Sequence, residues 1–189
     1  GVLCRGTGDS VRRFLQKPSP AEQQGAGALN AWGQALLDIG VMQFDTATAA
    51  RLLEIFGAGV SAGQPGLSGA MGEAVFAHGL DFYREICCAL GGGTDCGQYL
   101  RSVRDSGSTW DTAPLERLFE LLQPIPFHFQ LLPGCEFLDF GTTRGIIASG
   151  NALLRKERGV AWLNTCVEVN THVHDRGQVS GLDAWVEGC

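Results

Sequence analysis

Residues 36–44 read Leu-Leu-Asp-Ile-Gly-Val-Met-Gln-Phe, a nearly continuous apolar run with a single charge. A strand that alternates apolar and polar side chains covers one face only. A run that does not alternate predicts a strand buried on both faces, as in an α/β sheet. Upstream, residues 1–18 read as two extended segments around the turn Gly6-Thr7-Gly8-Asp9-Ser10. The second segment, Val11 to Lys17, is closed by Pro18, which cannot donate to a strand ladder. Residues 19–34 are small and polar and read as a loop or loose helix.

Downstream the period changes to that of helices. Thr46 is placed to cap a helix whose stripe is Ala49, Leu52, Leu53 and Phe56, stopped by Gly57. Residues 57–69 hold five glycines and Pro65 and predict a flexible connection. Tyr83, Ile86, Cys87 and Leu90 form a second stripe, ended by Gly91-Gly92-Gly93. Pro114 opens a third helix bearing Leu115, Leu118, Phe119 and Leu122. Strands are predicted over Phe127–Leu132 and Glu136–Phe140, and a helix over residues 143–156.

The tail follows another rule. Ala161, Val167, Val173, Val179 and Trp185 fall six residues apart, beside a second column of Leu163, Val169, Asp175, Gly181 and Glu187. A six-residue step suits neither a helix face nor one long strand. It predicts the start of a left-handed parallel β-helix, in which each six-residue face sends one aliphatic side chain inward. An antiparallel hairpin pair is the plainer alternative.

The chain has 189 residues, 44% of them hydrophobic, and a formal net charge of -6. The length can bury a real core, and the apolar content excludes disorder. Net negative charge argues against nucleic acid or an anionic membrane as partner, and no apolar run approaches a membrane span. The seven cysteines are odd in number and contain no C-x-x-C, which predicts reduced, mostly buried thiols in a cytoplasmic protein. No leader is visible. The first residue is Gly1 and the last falls inside the hexad tail, so a piece of a longer polypeptide is expected.

Three stretches carry chemistry. Lys17 precedes Pro18 at a predicted strand end, where its ammonium can neutralise phosphate oxygens; a solvated surface lysine is the alternative. Asp38 and Gly40 share a predicted strand. A glycine there invites close approach of a ligand, with a bulge or packing contact as the alternative, and the carboxylate can accept from sugar hydroxyls or simply meet a backbone amide. Asp139, between Leu138 and Phe140, is costly to bury unpaired and could supply one oxygen to Mg²⁺, or cap the next helix. Thr142 follows, with a hydroxyl and helix-opening N–H groups available to an anion. Leu90-Gly91-Gly92-Gly93-Thr94-Asp95 follows a helix and reads as a helix stop. His172 and His174 flank an inward position and face solvent, and Trp32, Trp110, Trp162 and Trp185 read as packing.

The order of "FLQKPS", "DIGVMQF", "FLDFGTT" and a hexapeptide tail resembles that of sugar-nucleotide pyrophosphorylases. More closely, "VRRFLQKPS", "ALLDIGVMQFD", "LDFYREICCALG" and "CEFLDFGTTRGIIAS" are similar to the fucose-1-phosphate guanylyltransferase part of the L-fucokinase/GDP-fucose pyrophosphorylase family. The resemblance spans nearly the whole chain. It implies an α/β fold: the C-terminal part of a Rossmann-like, GT-A type nucleotidyltransferase domain over residues 1–158, then the start of a left-handed β-helix over 159–189. It implies GTP and fucose 1-phosphate as substrates and Mg²⁺ as cofactor. Lys17 would hold the sugar-phosphate oxygens as the catalytic cation. Asp38 and Gly40 would line the sugar pocket, Asp139 would help hold Mg²⁺, and Thr142 would orient its loop. Gln16 stands where the wider group has glutamate. The glycine-rich nucleotide loop of this fold would lie upstream, and a fused L-fucokinase domain downstream, so the 189 residues alone are expected not to turn over. Two other readings are a pyrophosphorylase for a different sugar 1-phosphate and a noncatalytic β-helix scaffold or regulatory module.

Overall fold

A computed structural model describes residues 1–61, 63–136, 138, 140–158, 167–169, 171–179 and 185–188. It divides into two compact units, Gly1–Leu131 and Leu132–Cys189.

The first unit opens with the predicted hairpin. Strand β1 (Val2–Arg5) runs antiparallel to β2 (Val11–Leu15), and its other edge takes the two-residue β3 (Leu36–Leu37). The pairings Val2–Leu15 and Val2–Leu37 bring the start of β1 and the ends of β2 and β3 to one edge of the sheet. Alternation then sorts the side chains. Val2, Cys4 and Leu15 pack with Ala28 on one face, and Phe14 joins the main helical core on the other. Both faces are covered, in a mixed α/β unit whose described sheets are small and antiparallel.

The long strand predicted over residues 36–44 is not formed beyond Leu37. The Gly40 amide donates to Asp38 Oδ1 at 2.9 Å, an Asx turn, and Gly40 adopts φ +80°. That local turn peels the chain off the sheet, and Val41 is left exposed.

Helix α1 (Pro20–Gly25) is short and held by a reciprocal capping box. Ser19 accepts from the Glu22 amide, and Glu22 accepts from the Ser19 amide at 2.6 Å. Helix α2 (Thr46–Ile55) is capped by Asp45 rather than Thr46: its carboxylate accepts from the Thr48 amide at 2.7 Å. The glycine-rich connection after it contains a small hairpin, β4 (Gly59–Ser61) and β5 (Gln64–Gly66). Helix α3 (Gly69–His78) follows, with Met71 and Ala74 buried.

The stripe from Tyr83 to Leu90 forms only a six-residue π-helix, Phe82–Cys87, and then a turn. Helix α4 (Cys96–Asp105) starts at a second capping box, Asp95 with Gln98. Helix α5 (Thr112–Leu122) buries Leu115, Leu118 and Leu122 as its spacing predicts, each burial contributing roughly 1.5–3 kcal/mol. These helices share a core of Trp110, Tyr99, Val103, Ile86 and Phe14. Of the other tryptophans, Trp32 is 83% exposed, against the packing role predicted for it.

Residues 127–129 bond to the start of β2 without forming a full strand. The Val11 amide donates to the Phe127 carbonyl at 2.8 Å, and the Phe129 amide to that of Asp9 at 2.9 Å. On the same edge Gly93 donates to the Arg12 carbonyl at 2.8 Å. The strand that leads into Lys17 is thus bordered by β1, by the glycine turn and by residues 127–129.

In the second unit, Glu136, Leu138 and Phe140 are not in a strand, unlike the prediction for 136–140. Helix α6 (Thr143–Arg158) is as predicted, with the Gly145 amide donating to Thr142 Oγ1 at 2.9 Å. Strands β6 (Val167–Val169) and β7 (Trp185–Glu187) pair in parallel, with Val167 opposite Trp185, 18 residues on. Ala161 and Leu163 of the hexad columns, and Gly181, lie outside the described residues, as does Trp162. Val173, expected inward, is 37% exposed, and His172 and His174 are exposed. No helix among the described residues is long and apolar enough to cross a membrane.

Candidate functional site

Beside the end of β2 lies a cleft of about 890 Å³. Its wall is built from Arg13, Gln16, Lys17 and Pro18 at the end of β2, Gly25 and Ala26 of α1, Asp81 and Arg84 at the π-helix, and Gln98, Arg101, Ser102 and Asp105 of α4. Four cations (Arg13, Lys17, Arg84, Arg101) therefore meet in a chain whose overall charge is negative. Three acids, Glu22, Asp81 and Asp105, share the wall, and two of them accept from backbone amides. Glu22 accepts from the Ser19 amide, and Asp81 accepts from the amides of Tyr83 and Arg84 at 3.0 and 3.2 Å.

Lys17 sits on the rim, exposed, with φ +47°. No other non-glycine residue among the described ones has a positive φ. A left-handed residue other than glycine costs roughly 1–2 kcal/mol, and such outliers concentrate where a side chain must be aimed. No hydrogen bond or ion pair engages the Lys17 ammonium among the described residues.

Asp38 and Gly40 reach the same end of the sheet from β3, two strands from Lys17, or about 10 Å by strand spacing. They are not part of the cleft wall. The Asp38 side chain is only 8% exposed, with Oδ2 4.0 Å from the Gly1 ammonium. Burial, and then the Asp38 charge, push the Tyr83 hydroxyl above its usual pKa, and Tyr83 stacks on Phe14 with centroids 6.2 Å apart. A Cβ on Gly40 would lie 3.5 Å from the Tyr83 hydroxyl. The π-helix thus lies between Asp38 and the cleft, presenting Tyr83 to one and Arg84 to the other.

Below the cleft are nonreactive groups. Burial pushes the Cys88 thiol up to about 11 and raises that of Cys87 as well. All five described cysteines are free, and Cys4, Cys87 and Cys88 are buried.

Thr142 caps α6 in the second unit, and Asp139 lies outside the described residues. Among the described residues no three His, Cys, Asp or Glu side chains converge as a metal site.

Arg13, Arg84 and Arg101 escaped the sequence reading because three separate elements supply them. The Asp95–Gln98 capping box was the one local signal that could have revealed α4 and hence Arg101.

A cation-lined cleft at the edge of a small sheet, in a mixed α/β unit, is a frame suited to an anionic ligand. Residues 2–179 match the fucose pyrophosphorylase domain, and the chain belongs to that family. The family makes this a sugar-nucleotide pyrophosphorylase type of domain, of the nucleotidyltransferase class, with a nucleotide and a sugar phosphate as substrates. No curated protein and no solved structure gives a significant match.

Proposed function

We propose that the chain is part of a fucose-1-phosphate guanylyltransferase, converting GTP and fucose 1-phosphate to GDP-fucose and pyrophosphate, within a bifunctional L-fucokinase/GDP-fucose pyrophosphorylase. The observation that carries this, beyond the family, is Lys17 in its left-handed conformation on the rim of an arginine-lined cleft. In the reaction a phosphate oxygen of the sugar phosphate attacks the α-phosphorus of GTP. A new P–O bond forms, the bond to the bridging oxygen breaks, and pyrophosphate leaves with the electron pair. Attacker and target are both anions, so catalysis consists mainly of charge neutralisation and in-line positioning. Lys17 supplies the first by holding the sugar-phosphate oxygens. Asp38 and Gly40, at the same sheet end, take the sugar side. Thr142 orders its own loop by capping α6. Mg²⁺ belongs to this reading with Asp139 as a ligand, and no step is assigned to it. Residues 159–189 are read as the start of a left-handed β-helix, a reading supported by the parallel pairing of residues 18 apart, three six-residue faces.

The test is calorimetric. Lys17→Asn removes the ammonium but suits a left-handed residue, so folding is retained. A charge-assisted hydrogen bond is worth about 1.5–3 kcal/mol, so GDP-fucose affinity is expected to fall about 10- to 150-fold at unchanged melting temperature. Unchanged affinity refutes the assignment.

A further inference from the structure

Arg84 and Glu85 form a pair whose geometry exceeds what burying one carboxylate needs. The Glu85 side chain is fully buried and that of Arg84 is 17% exposed, with Arg84 Nε donating to Glu85 Oε1 at 2.6 Å. If the arginine served only to neutralise the acid, the fork-to-fork arrangement through Nε and Nη2 would give the most. Instead the second carboxylate oxygen, Oε2, accepts from the Asp81 amide at 2.9 Å. The Glu85 carbonyl accepts from the Tyr99 hydroxyl at 3.0 Å, so the acid is fixed from both ends. Of the five N–H groups of a guanidinium, one goes to Glu85 and one makes a long 3.5 Å contact with the Ser106 carbonyl. The remaining three have no protein partner among the described residues, and Arg84 lines the cleft that Lys17 rims. The segment is a π-helix, an irregularity that recurs at functional sites.

We propose that Arg84, clamped by buried Glu85, is a second phosphate-binding residue of the cleft and takes the same phosphate monoester as Lys17. Glu85 is then a positioning residue. The inference rests on reading the cleft as the sugar-phosphate site. A planar fork held at Nε offers two parallel N–H groups to two phosphate oxygens, while the lysine acts as a mobile point charge.

The experiment is titration of the chain with fucose 1-phosphate, with melting temperature recorded for every variant. Arg84→Lys keeps the charge beside Glu85 and the fold but loses the fork; affinity is expected to fall about tenfold at unchanged melting temperature. Glu85→Gln leaves the Arg84 charge but loosens it, and the same direction of loss, about fivefold, is expected. If Glu85→Gln fails to fold, labelling of Arg84 by phenylglyoxal, read by mass spectrometry on the unsubstituted chain, replaces it: fucose 1-phosphate is expected to protect Arg84. Binding that depends on Lys17 but ignores Arg84→Lys, or an Arg84 that the ligand does not protect, overturns this inference alone. Binding insensitive to both Lys17→Asn and Arg84→Lys overturns the reading of the cleft, and this inference with it.

Discussion

Gly91 gives the sharpest test of how the cleft is held. A Cβ at this position would lie 2.7 Å from the Arg12 carbonyl oxygen and 2.9 Å from Arg13 Cα, both main-chain atoms of β2. Ordinary contact begins about 0.7 Å further out, and β2 cannot yield freely because it is also bonded to β1 and to Phe127. Gly91→Ala therefore strains the backbone, at about 1–3 kcal/mol, and breaks the Gly93-to-Arg12 hydrogen bond, at about 1 kcal/mol more. The total, about 2–4 kcal/mol, corresponds to a fall of about 6–15 °C in the melting temperature of a unit this size. The neighbouring Gly92 is the control: nothing lies within 4 Å of its would-be Cβ and its φ is not positive, so Gly92→Ala should be neutral or raise stability slightly. Thermal unfolding followed by circular dichroism reads both. Equal melting temperatures for the two variants would show that the glycine turn does not brace β2.

Three further outcomes follow from the packing and the titrating groups. Trp110 is fully buried and its indole N–H donates to the Gly79 carbonyl at 2.7 Å, so Trp110→Phe should cost about 2–4 kcal/mol in urea unfolding; a loss below about 1 kcal/mol would contradict this. Hydrogen bonding to the side chain and then the amide of Ser19 holds Glu22 below its usual carboxylate pKa, and bonding to the amide and then the side chain of Thr48 does the same for Asp45. Their stabilisation is complete above about pH 4.5 and lost as pH falls through the lowered values, so the Ser19 and Thr48 amide NMR shifts should move in acid, below the usual range. At pH 8 iodoacetamide should label exposed Cys135 well before Cys87 and Cys88, whose thiols burial keeps protonated; equal labelling by mass spectrometry would refute that.

What could be read from the sequence was whatever is encoded locally. The turn at Gly6–Ser10, the stripe of α5 and the extent of α6 need only neighbours a few residues away, and all three form as predicted. In the run at 36–44 turn chemistry outweighs hydrophobicity: the Asp-x-Gly inside it closes an Asx turn that ends the strand. Helix α3 went unread because alanines and glycines blur its face, and α4 because its exterior is polar and only Tyr99 and Val103 are buried. Lys17 was visible through Pro18, but its arginine companions were not. Their meeting depends on contacts across about 70 to 90 residues, which no local pattern records.

The borders of β2 also set a timetable for synthesis. Its outer edge is closed by chain that follows Lys17 by about 75 residues at the glycine turn and about 110 residues at Phe127–Phe129. A ribosome adding about 5–20 residues each second leaves that edge open for several seconds to some twenty, with unpaired amides free to recruit a stranger's strand. The rim of the cleft is thus among the last features of its unit to be finished, and nascent copies crowded on one message would be most vulnerable to misassembly during that interval.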